Sequence, residues 1–202
     1  METFLLLLLS PMKIISWNVQ GAKKPHFQQE VRFINGTIKP DILVFLETIV
    51  NECNTARIVK SLGYQFYDTI PPKNHVGGIW LLWSTENMKV NAIAKETRAL
   101  HYLVYEKSTS KQCVLSTVSV PAQNQEKNDF WDHLKHLNDV INLPWFLMGD
   151  FNEMLISSNK IGGSPLTVSK TQRLLDFLAY SKGIGANVDG RIFNWKNFCE
   201  GN

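Results

Sequence analysis

The stretch Pro144–Glu153 (PWFLMGDFNE) decides how the rest of the chain is interpreted. Four apolar residues closed by a glycine predict an interior strand over 145–148. Asp150 and Asn152 follow, and because side chains alternate along extended backbone, both point the same way if that conformation continues. Polar groups at the end of a buried strand need a partner. A phosphate is one candidate, and ordinary turn formation by Asp and Asn is the other.

The composition is that of a globular protein with one domain. The 202 residues are 44% hydrophobic and 19% charged, which allows a sizeable core and argues against disorder. The net charge of +3 permits contact with a polyanion without requiring it, and no dense basic stretch is present. Three widely spaced cysteines without zinc-site spacing predict reduced thiols in an intracellular protein, either nuclear or cytoplasmic.

Residues 1–11 are interpreted as an N-terminal apolar extension, which leaves 12–202 as the domain. The apolar run 4–9 is too short to span a bilayer. It also lacks the basic region and the small-residue cleavage site of a signal peptide. We therefore expect neither a membrane partner nor secretion.

Apolar patterns along the chain alternate between strands and helices. Strand patterns cover 13–17, 42–46, 65–70, 79–83, 89–95, 101–106, 112–120, 145–148 and 191–195. Helical spacing covers 27–38, 56–62, 130–141 and 174–178, the last preceded by the capping-box pair Ser169 and Gln172. Polar–apolar alternation in 89–95 and 101–106 predicts antiparallel strands, and the unbroken run 42–46 predicts a strand covered on both faces. The fold class is therefore mixed α/β, with more strands than a simple βαβ ladder gives.

Three of the predicted strands finish in oxygen-bearing side chains. Asn18 follows the first strand, Glu47 follows the second, and Asp150 and Asn152 follow the strand over 145–148. Taken singly, each residue could be a turn former or a solvated strand end. If the strands are neighbours and end at one edge, however, these side chains converge, and hard oxygen ligands suit Mg²⁺ or Mn²⁺. Because polar side chains recur at three strand ends, we favour a metal-binding site over three unrelated turns.

Three motifs resemble, in order and spacing, the endonuclease/exonuclease/phosphatase superfamily, whose fold is that of deoxyribonuclease I. They are SWNVQG at 16–21, PDI through LET at 40–48, and GDFNE at 149–153. Within the superfamily the chain looks most like the apurinic-type endonuclease domain of plant LINE-type non-LTR retrotransposons. The stretches that support this finer resemblance are 77–83, 130–131, 160–163 and 193–195.

The resemblance implies a four-layer sandwich, in which two packed mixed sheets are flanked by helices. It implies a Mg²⁺-dependent phosphodiesterase that cuts the DNA backbone and leaves a 3′-hydroxyl. No obligate protein partner is evident from the sequence. Carried over residue by residue, Glu47 would be the principal metal ligand, with Asn18 beside it. Asp150 would deprotonate the attacking water, and Asn152 would donate a hydrogen bond to a phosphate oxygen.

The sequence departs from the superfamily pattern in three places. Gln20 stands where many members carry an acidic residue, and Ser119 stands where several have a tyrosine near the phosphate. The closing Ser-Asp-His segment is absent before the chain ends at Asn202. We therefore expect a domain that is incomplete at its C-terminus, with its last strands missing and its turnover impaired.

None of the five histidines has the context needed to replace the missing one. His26 and His75 lie in predicted loops, and His101 is expected to be a half-buried sheet residue. His133 and His136 fall on the polar part of a helix and are expected to be solvated.

Two other functions stay open at this stage. One is a catalytically dead retrotransposon-derived remnant or nucleic-acid-binding protein that keeps only the fold. The other is a phosphoesterase of the same superfamily acting on inositol phosphates or lipid head groups. A panel of abasic DNA, plain duplex and phosphoinositides would separate these functions.

Overall fold

The computed structural model describes residues 4–9, 12–73, 77–84, 87–152, 172–186 and 194–197. Within these ranges the chain forms eleven strands in two sheets and four helices. Each strand pattern and each helical pattern found in the sequence is confirmed as an element of that type, apart from residues that fall outside the described ranges.

The first sheet has the strand order β1-β2-β3-β5-β4. Its strands are β1 (Phe4–Leu9), β2 (Met12–Asn18), β3 (Ile42–Leu46), β4 (Phe66–Ile70) and β5 (Ile79–Trp83). β2 and β3 are parallel, and the other neighbours are antiparallel. Residues 4–9 of the apolar N-terminal segment thus form the edge strand beside β2.

The second sheet has the order β10-β11-β9-β8-β7-β6. Its strands are β6 (Met88–Lys95), β7 (Ala99–Glu106), β8 (Lys111–Ser119), β9 (Trp145–Asp150), β10 (Ile184–Ala186) and β11 (Asn194–Asn197). β8 and β9 are parallel, whereas β6, β7 and β8 pair antiparallel, as the alternating patterns predict. β9 lies between β8 and β11, so the apolar run Trp145–Met148 forms an interior strand.

The four helices are α1 (Phe27–Thr37), α2 (Glu52–Ser61), α3 (Asn124–Val140) and α4 (Gln172–Tyr180). α1 ends before Pro40, because a residue that precedes proline avoids the helical region. α4 begins at Gln172, while its predicted capping partner Ser169 lies outside the described residues. In the described part of the chain, no helix combines the length and the apolar character needed to cross a membrane.

Alternation along the strands divides the apolar residues among three cores. Met148 and Val44 face the space between the two sheets. Phe45, the neighbour of Val44, packs with residues of α1 and α2, and Leu147 packs with residues of α3 and α4. The layers are therefore helices, sheet, sheet and helices, which confirms the predicted four-layer sandwich.

A polar contact joins the two sheets at the β4 edge. The Tyr102 hydroxyl donates to Asp68 Oδ2 at 2.6 Å, and Lys95 Nζ donates to Asp68 Oδ1 at 2.8 Å. Partial burial opposes ionisation of Asp68, but the hydrogen bonds from Lys95 and Tyr102 outweigh it and lower the pKa of that carboxyl. The carboxylate therefore stays charged at neutral pH and links β4 to β6 and β7.

Candidate active site at the strand ends

Asn18 and Glu47 lie at the carboxyl ends of two adjacent parallel strands. Asn18 is the last residue of β2 and pairs with Leu46, and Glu47 comes directly after Leu46. Parallel neighbours end at the same edge of a sheet, so the two side chains leave the first sheet side by side. The sequence pattern predicts that Asn18 and Glu47 lie next to each other if their strands are neighbours, and β2 and β3 are neighbours.

The two chain segments stay together beyond the strands. Val19 N–H donates to the Leu46 carbonyl at 3.0 Å, and Gly21 N–H donates to the Glu47 carbonyl at 2.8 Å. The segment after Glu47 is tied in turn to the glycine pair before β5, because Thr48 N–H donates to the Gly78 carbonyl at 3.3 Å. Hydrogen bonds to fixed backbone on both sides therefore hold Glu47 in place.

Backbone strain is concentrated around these strand ends. Seven non-glycine residues have positive φ in the described part of the chain, and four of them belong to the candidate site or lie within two residues of it. These four are Gln20 (φ 46°), Glu47 (φ 51°), Ile49 (φ 51°) and Asn152 (φ 48°). Each left-handed residue costs about 1 kcal/mol, and such strain gathers at functional sites more often than elsewhere. The conformation of Glu47 and Asn152 is thus consistent with a functional role.

Asp150 and Asn152 form a turn at the end of β9. Asn152 N–H donates to Asp150 Oδ1 at 2.9 Å, and Asn152 Nδ2 donates to the Val120 carbonyl at 2.6 Å. The left-handed backbone of Asn152 ends the extended conformation, so simple strand alternation does not decide where its side chain points. One oxygen of Asp150 is used within the turn, and the other oxygen remains for chemistry.

A buried lysine supports this turn from helix α3. Lys127 Nζ donates to the Asn152 carbonyl at 2.7 Å, and Lys127 is only 8% exposed. A charged donor makes a stronger hydrogen bond than a neutral one, more so where water is excluded. Lys127 therefore helps to fix the left-handed conformation that the sequence pattern did not predict.

One cleft connects the ends of the two sheets. It has a volume of about 900 Å³, and its lining includes Ile79 from the first sheet and Ser119 from the second. Ile79 pairs with Leu46, the residue before Glu47, and Ser119 pairs with Asp150. β2 and β9 also contact each other across the sandwich. The strand partner of Leu46 and the strand partner of Asp150 therefore line one cleft, whereas Asn18, Glu47, Asp150 and Asn152 themselves are not among the residues that line it.

The walls of the cleft carry both signs of charge. Lys73, Lys95 and Arg98 provide the positive charges. Arg98 contacts Glu126 at 3.4 Å and Lys95 contacts Asp68 at 2.8 Å, both in partly exposed positions where ion pairs contribute little. Arg98 can therefore turn toward an anionic ligand at little cost, whereas Lys95 also holds Asp68 at the contact between the two sheets.

The donor atoms of Asn18 and Glu47 suit Mg²⁺. Asn18 Oδ1 accepts one hydrogen bond, from Gln20 N–H at 3.2 Å, and an amide oxygen has a second lone pair. Glu47 is half-buried, and its carboxylate has no hydrogen-bond or ion-pair partner among the described residues. One carboxylate with one amide oxygen matches an ion that keeps several water ligands.

Gly149 places Asp150 at the end of β9, and we expect Gly149→Ala to lower stability by about 2 to 3 kcal/mol. Its φ is +147°, and a Cβ at this position would lie 1.9 Å from the Val118 carbonyl oxygen, a backbone atom of the paired strand. Urea unfolding followed by circular dichroism measures the change.

The matched control is Gly36→Ala, in helix α1, where a Cβ would meet nothing within 4 Å. This change should leave stability equal or raise it by up to about 1 kcal/mol. Equal unfolding midpoints for Gly149→Ala and the parent chain would contradict the close approach of β8 and β9.

A second cluster of ligand-type side chains, absent from the sequence-based candidates, lies at the β6–β7 turn. Glu96, His101 and His133 place one ligand atom each within 4.8 Å of one another. His101 is 3% exposed, so the expectation of a half-buried residue is wrong, and burial lowers the pKa of its imidazole. His133 is partly exposed and contacts Glu96 at 2.9 Å, so it is not simply solvated. No residue spacing marks this cluster in the sequence.

One comparison with known proteins identifies the family of the chain. A profile of the endonuclease/exonuclease/phosphatase family matches residues 15–197. A comparison with curated protein sequences finds no match.

Solved structures resemble the chain over most of its length. The catalytic domain of human Nocturnin, with bound sulfate, is 15% identical at a TM-score of 0.62, covering 97% of this chain and 86% of that one. A mannosyl-6-phosphatase from Bacteroides thetaiotaomicron is 13% identical at a TM-score of 0.62, and the match covers 92% of this chain and 85% of that one. The AP endonuclease LMAP from Leishmania major is 15% identical at a TM-score of 0.63, and the match covers 92% of this chain and 78% of that one. At these identities the likeness shows the fold.

Proposed function

The chain belongs to the endonuclease/exonuclease/phosphatase family, and from this premise we propose that it is a Mg²⁺-dependent phosphodiesterase acting on the DNA backbone. The observation that carries the proposal is the arrangement of the strand ends. Asn18 and Glu47 lie at adjacent strand ends of the first sheet, and Asp150 and Asn152 form one turn. One cleft is lined by Ser119, the strand partner of Asp150, and by Ile79, the strand partner of the residue before Glu47.

Each polar side chain has a distinct role in the proposed reaction. Asn18 and Glu47 would hold the metal, which when bound offsets the negative charge that grows on the phosphoryl oxygens. Asp150 Oδ1 accepts the Asn152 N–H, so Oδ2 is the oxygen that takes the proton from the attacking water. As the new P–O bond forms, the bond to the leaving oxygen breaks, and that oxygen takes up a proton from solvent.

Asn152 supplies a neutral hydrogen-bond donor to the phosphate. Its Nδ2 carries two hydrogens, and one of them goes to the Val120 carbonyl at 2.6 Å. The second hydrogen remains for a phosphoryl oxygen, where a fixed donor stabilises the developing charge. Because the contacts to Val120 and Lys127 already fix the turn, binding of substrate costs little reorganisation.

DNA is the proposed substrate because of the shape and charge of the cleft and the kind of structure that the chain resembles. The cleft of about 900 Å³ has three cationic residues on its walls, Lys73, Lys95 and Arg98, against two acidic ones, Glu96 and Glu126, and the excess of positive charge suits a phosphate backbone. One of the similar structures is an AP endonuclease. The finer proposal, a retrotransposon-derived endonuclease of the plant LINE type, rests on sequence resemblance, and a reverse transcriptase encoded downstream in the gene would support it.

The experiment incubates the purified 202-residue chain with Mg²⁺ and a panel of substrates: supercoiled plasmid, abasic duplex, plain duplex, inositol phosphates and phosphoinositide vesicles. We expect Mg²⁺-dependent nicking of DNA that stops with a chelator and with Asp150→Ala. If only the inositol substrates are hydrolysed, the substrate is a small phosphate ester and not DNA. DNA binding in a gel-shift assay without hydrolysis of any substrate would favour the non-catalytic nucleic-acid-binding function, and the proposal would fail.

A further inference from the structure

The second cluster brings three elements of the fold to one point. Glu96 follows β6 and is held by a hydrogen bond from its own N–H to the Ala99 carbonyl at 2.8 Å. His101 lies on β7, and His133 reaches the cluster from α3. Glu96 Oε1 is 2.9 Å from His133 Nε2 and 3.6 Å from His101 Nε2. The carboxylate therefore stands between the two imidazoles.

The environment of His101 leaves one ring nitrogen without a partner. Its Nδ1 lies 2.7 Å from Ser116 Oγ, which also accepts the Trp145 indole N–H at 2.7 Å. Its Nε2 is buried and has no hydrogen-bond partner in the described structure, while the Glu96 oxygen lies beyond hydrogen-bond reach. A buried polar atom without a partner is costly, so this nitrogen calls for an explanation.

We propose that Glu96, His101 and His133 bind a divalent transition-metal ion of the Zn²⁺ class. Ligand atoms about 2.0–2.1 Å from a tetrahedral zinc ion lie about 3.3 Å from one another. The two separations from Glu96 Oε1, 2.9 and 3.6 Å, bracket that value, and the two imidazole nitrogens lie within 4.8 Å of each other. Two imidazole nitrogens with one carboxylate oxygen favour Zn²⁺ over Mg²⁺, which prefers oxygen ligands throughout.

The surroundings supply the outer contact that such a site requires. A metal-bound histidine usually donates its other ring N–H to an acceptor that fixes the ring, and Ser116 Oγ is placed to accept from His101 Nδ1. In that tautomer the lone pair of Nε2 faces Glu96. The ion would thus satisfy the His101 ring nitrogen that has no partner among the described residues.

Solvent can reach the site, because Glu96 also lines the cleft of about 900 Å³. Glu96 and His133 line a groove of about 360 Å³ together with Arg98, and their side chains are 33% and 38% exposed. Three protein ligands with access to water leave a fourth position open, unlike a closed structural zinc site. This ion would be separate from the one at Asn18 and Glu47, and it would link the β6–β7 turn to helix α3.

The test measures Zn²⁺ binding and stability of the 202-residue chain after chelator treatment and dialysis. Zn²⁺ is titrated against a chromophoric chelator in excess Mg²⁺, and thermal unfolding is followed with and without Zn²⁺. We expect one equivalent to bind and to raise Tm. His133→Ala should weaken binding by at least about 100-fold and remove the Zn²⁺-dependent rise in Tm. Glu96→Gln should reduce the affinity as well.

The matched control is His136→Ala, which removes an exposed histidine three positions further along the same helix. It should change the affinity less than twofold, and Glu47→Gln should also leave Zn²⁺ binding intact. Because His133 is partly exposed, His133→Ala is expected to fold, which circular dichroism verifies. No binding by the parent chain, equal affinity in His133→Ala, or an equal loss in His136→Ala would each overturn the proposal.

Discussion

Asp150→Asn is expected to lower the Mg²⁺-dependent rate of DNA hydrolysis by about 100-fold to 10,000-fold, the usual range for a general base. Asparagine keeps the size of the side chain, and its Oδ1 can still accept the Asn152 N–H that holds the turn at 2.9 Å. It replaces the second carboxylate oxygen by an amide that accepts no proton from water. Single-turnover nicking of supercoiled plasmid at saturating Mg²⁺ measures the effect on the chemical step.

The control for this change is Asp132→Asn on helix α3. Asp132 has a 72% exposed side chain, and its one ion pair among the described residues is with the partly exposed Lys135, at 2.9 Å. The same chemical change there should leave the nicking rate within about twofold, because exposed ion pairs contribute little. If Asp150→Asn folds and nicks DNA at the parent rate, Asp150 is not the base, and the nuclease mechanism proposed for this site is wrong.

Glu47→Gln is expected to raise the Mg²⁺ concentration needed for half-maximal activity by at least about 100-fold. Loss of an outer contact to a metal ligand already costs about 10-fold to 100-fold, and Glu47 is the one carboxylate of the proposed pair. Glutamine keeps the side-chain length and the backbone strain at φ 51°, so folding should be affected little. A Mg²⁺ titration of the nicking rate, repeated with Mn²⁺, gives the shift.

Glu52→Gln serves as the comparison for Glu47→Gln. Glu52 is an exposed acidic residue in the first turn of α2, close in sequence but outside the strand ends. Glu52→Gln removes one negative charge, as Glu47→Gln does, and should not move the Mg²⁺ dependence. Identical titration curves for Glu47→Gln and the parent would remove Glu47 from the metal site.

The sequence pattern predicts the sandwich well because each strand of the core is short, apolar and bounded by turn residues. Ile42–Leu46 is predicted to be covered on both faces, and all five of its residues are buried. The pattern also gives the adjacency of Asn18 and Glu47, since both follow strands that became parallel neighbours. Strand β1 was not predicted, because a lone apolar run does not indicate which edge it will join.

The end of β9 shows where local patterns stop being sufficient. Strand alternation alone would carry Asn152 to the same side as Asp150. The left-handed conformation instead depends on the Val120 carbonyl and on Lys127, which are distant in the sequence. Tertiary contacts of this kind produce no periodic pattern in the sequence.

The Glu96–His101–His133 cluster could not be predicted from the sequence for the same reason, because it depends on contacts between distant parts of the chain. His133 falls on a polar face of α3, and His101 occupies one position in an alternating strand. Only the packing of α3 against the second sheet brings them to Glu96. The odd feature that could have drawn attention is a histidine within the apolar strand Ala99–Glu106.

Both halves of the candidate site depend on crossover connections, and this has a kinetic consequence. β2 and β3 are joined through α1, and β8 and β9 are joined through α3. A parallel pair forms only after a long loop has closed, whereas the hairpins β6–β7 and β7–β8 need only short turns. We therefore expect the hairpins to form early and the catalytic end of the sandwich to assemble last, so that a newly made chain becomes compact before it can bind a cation or a phosphate.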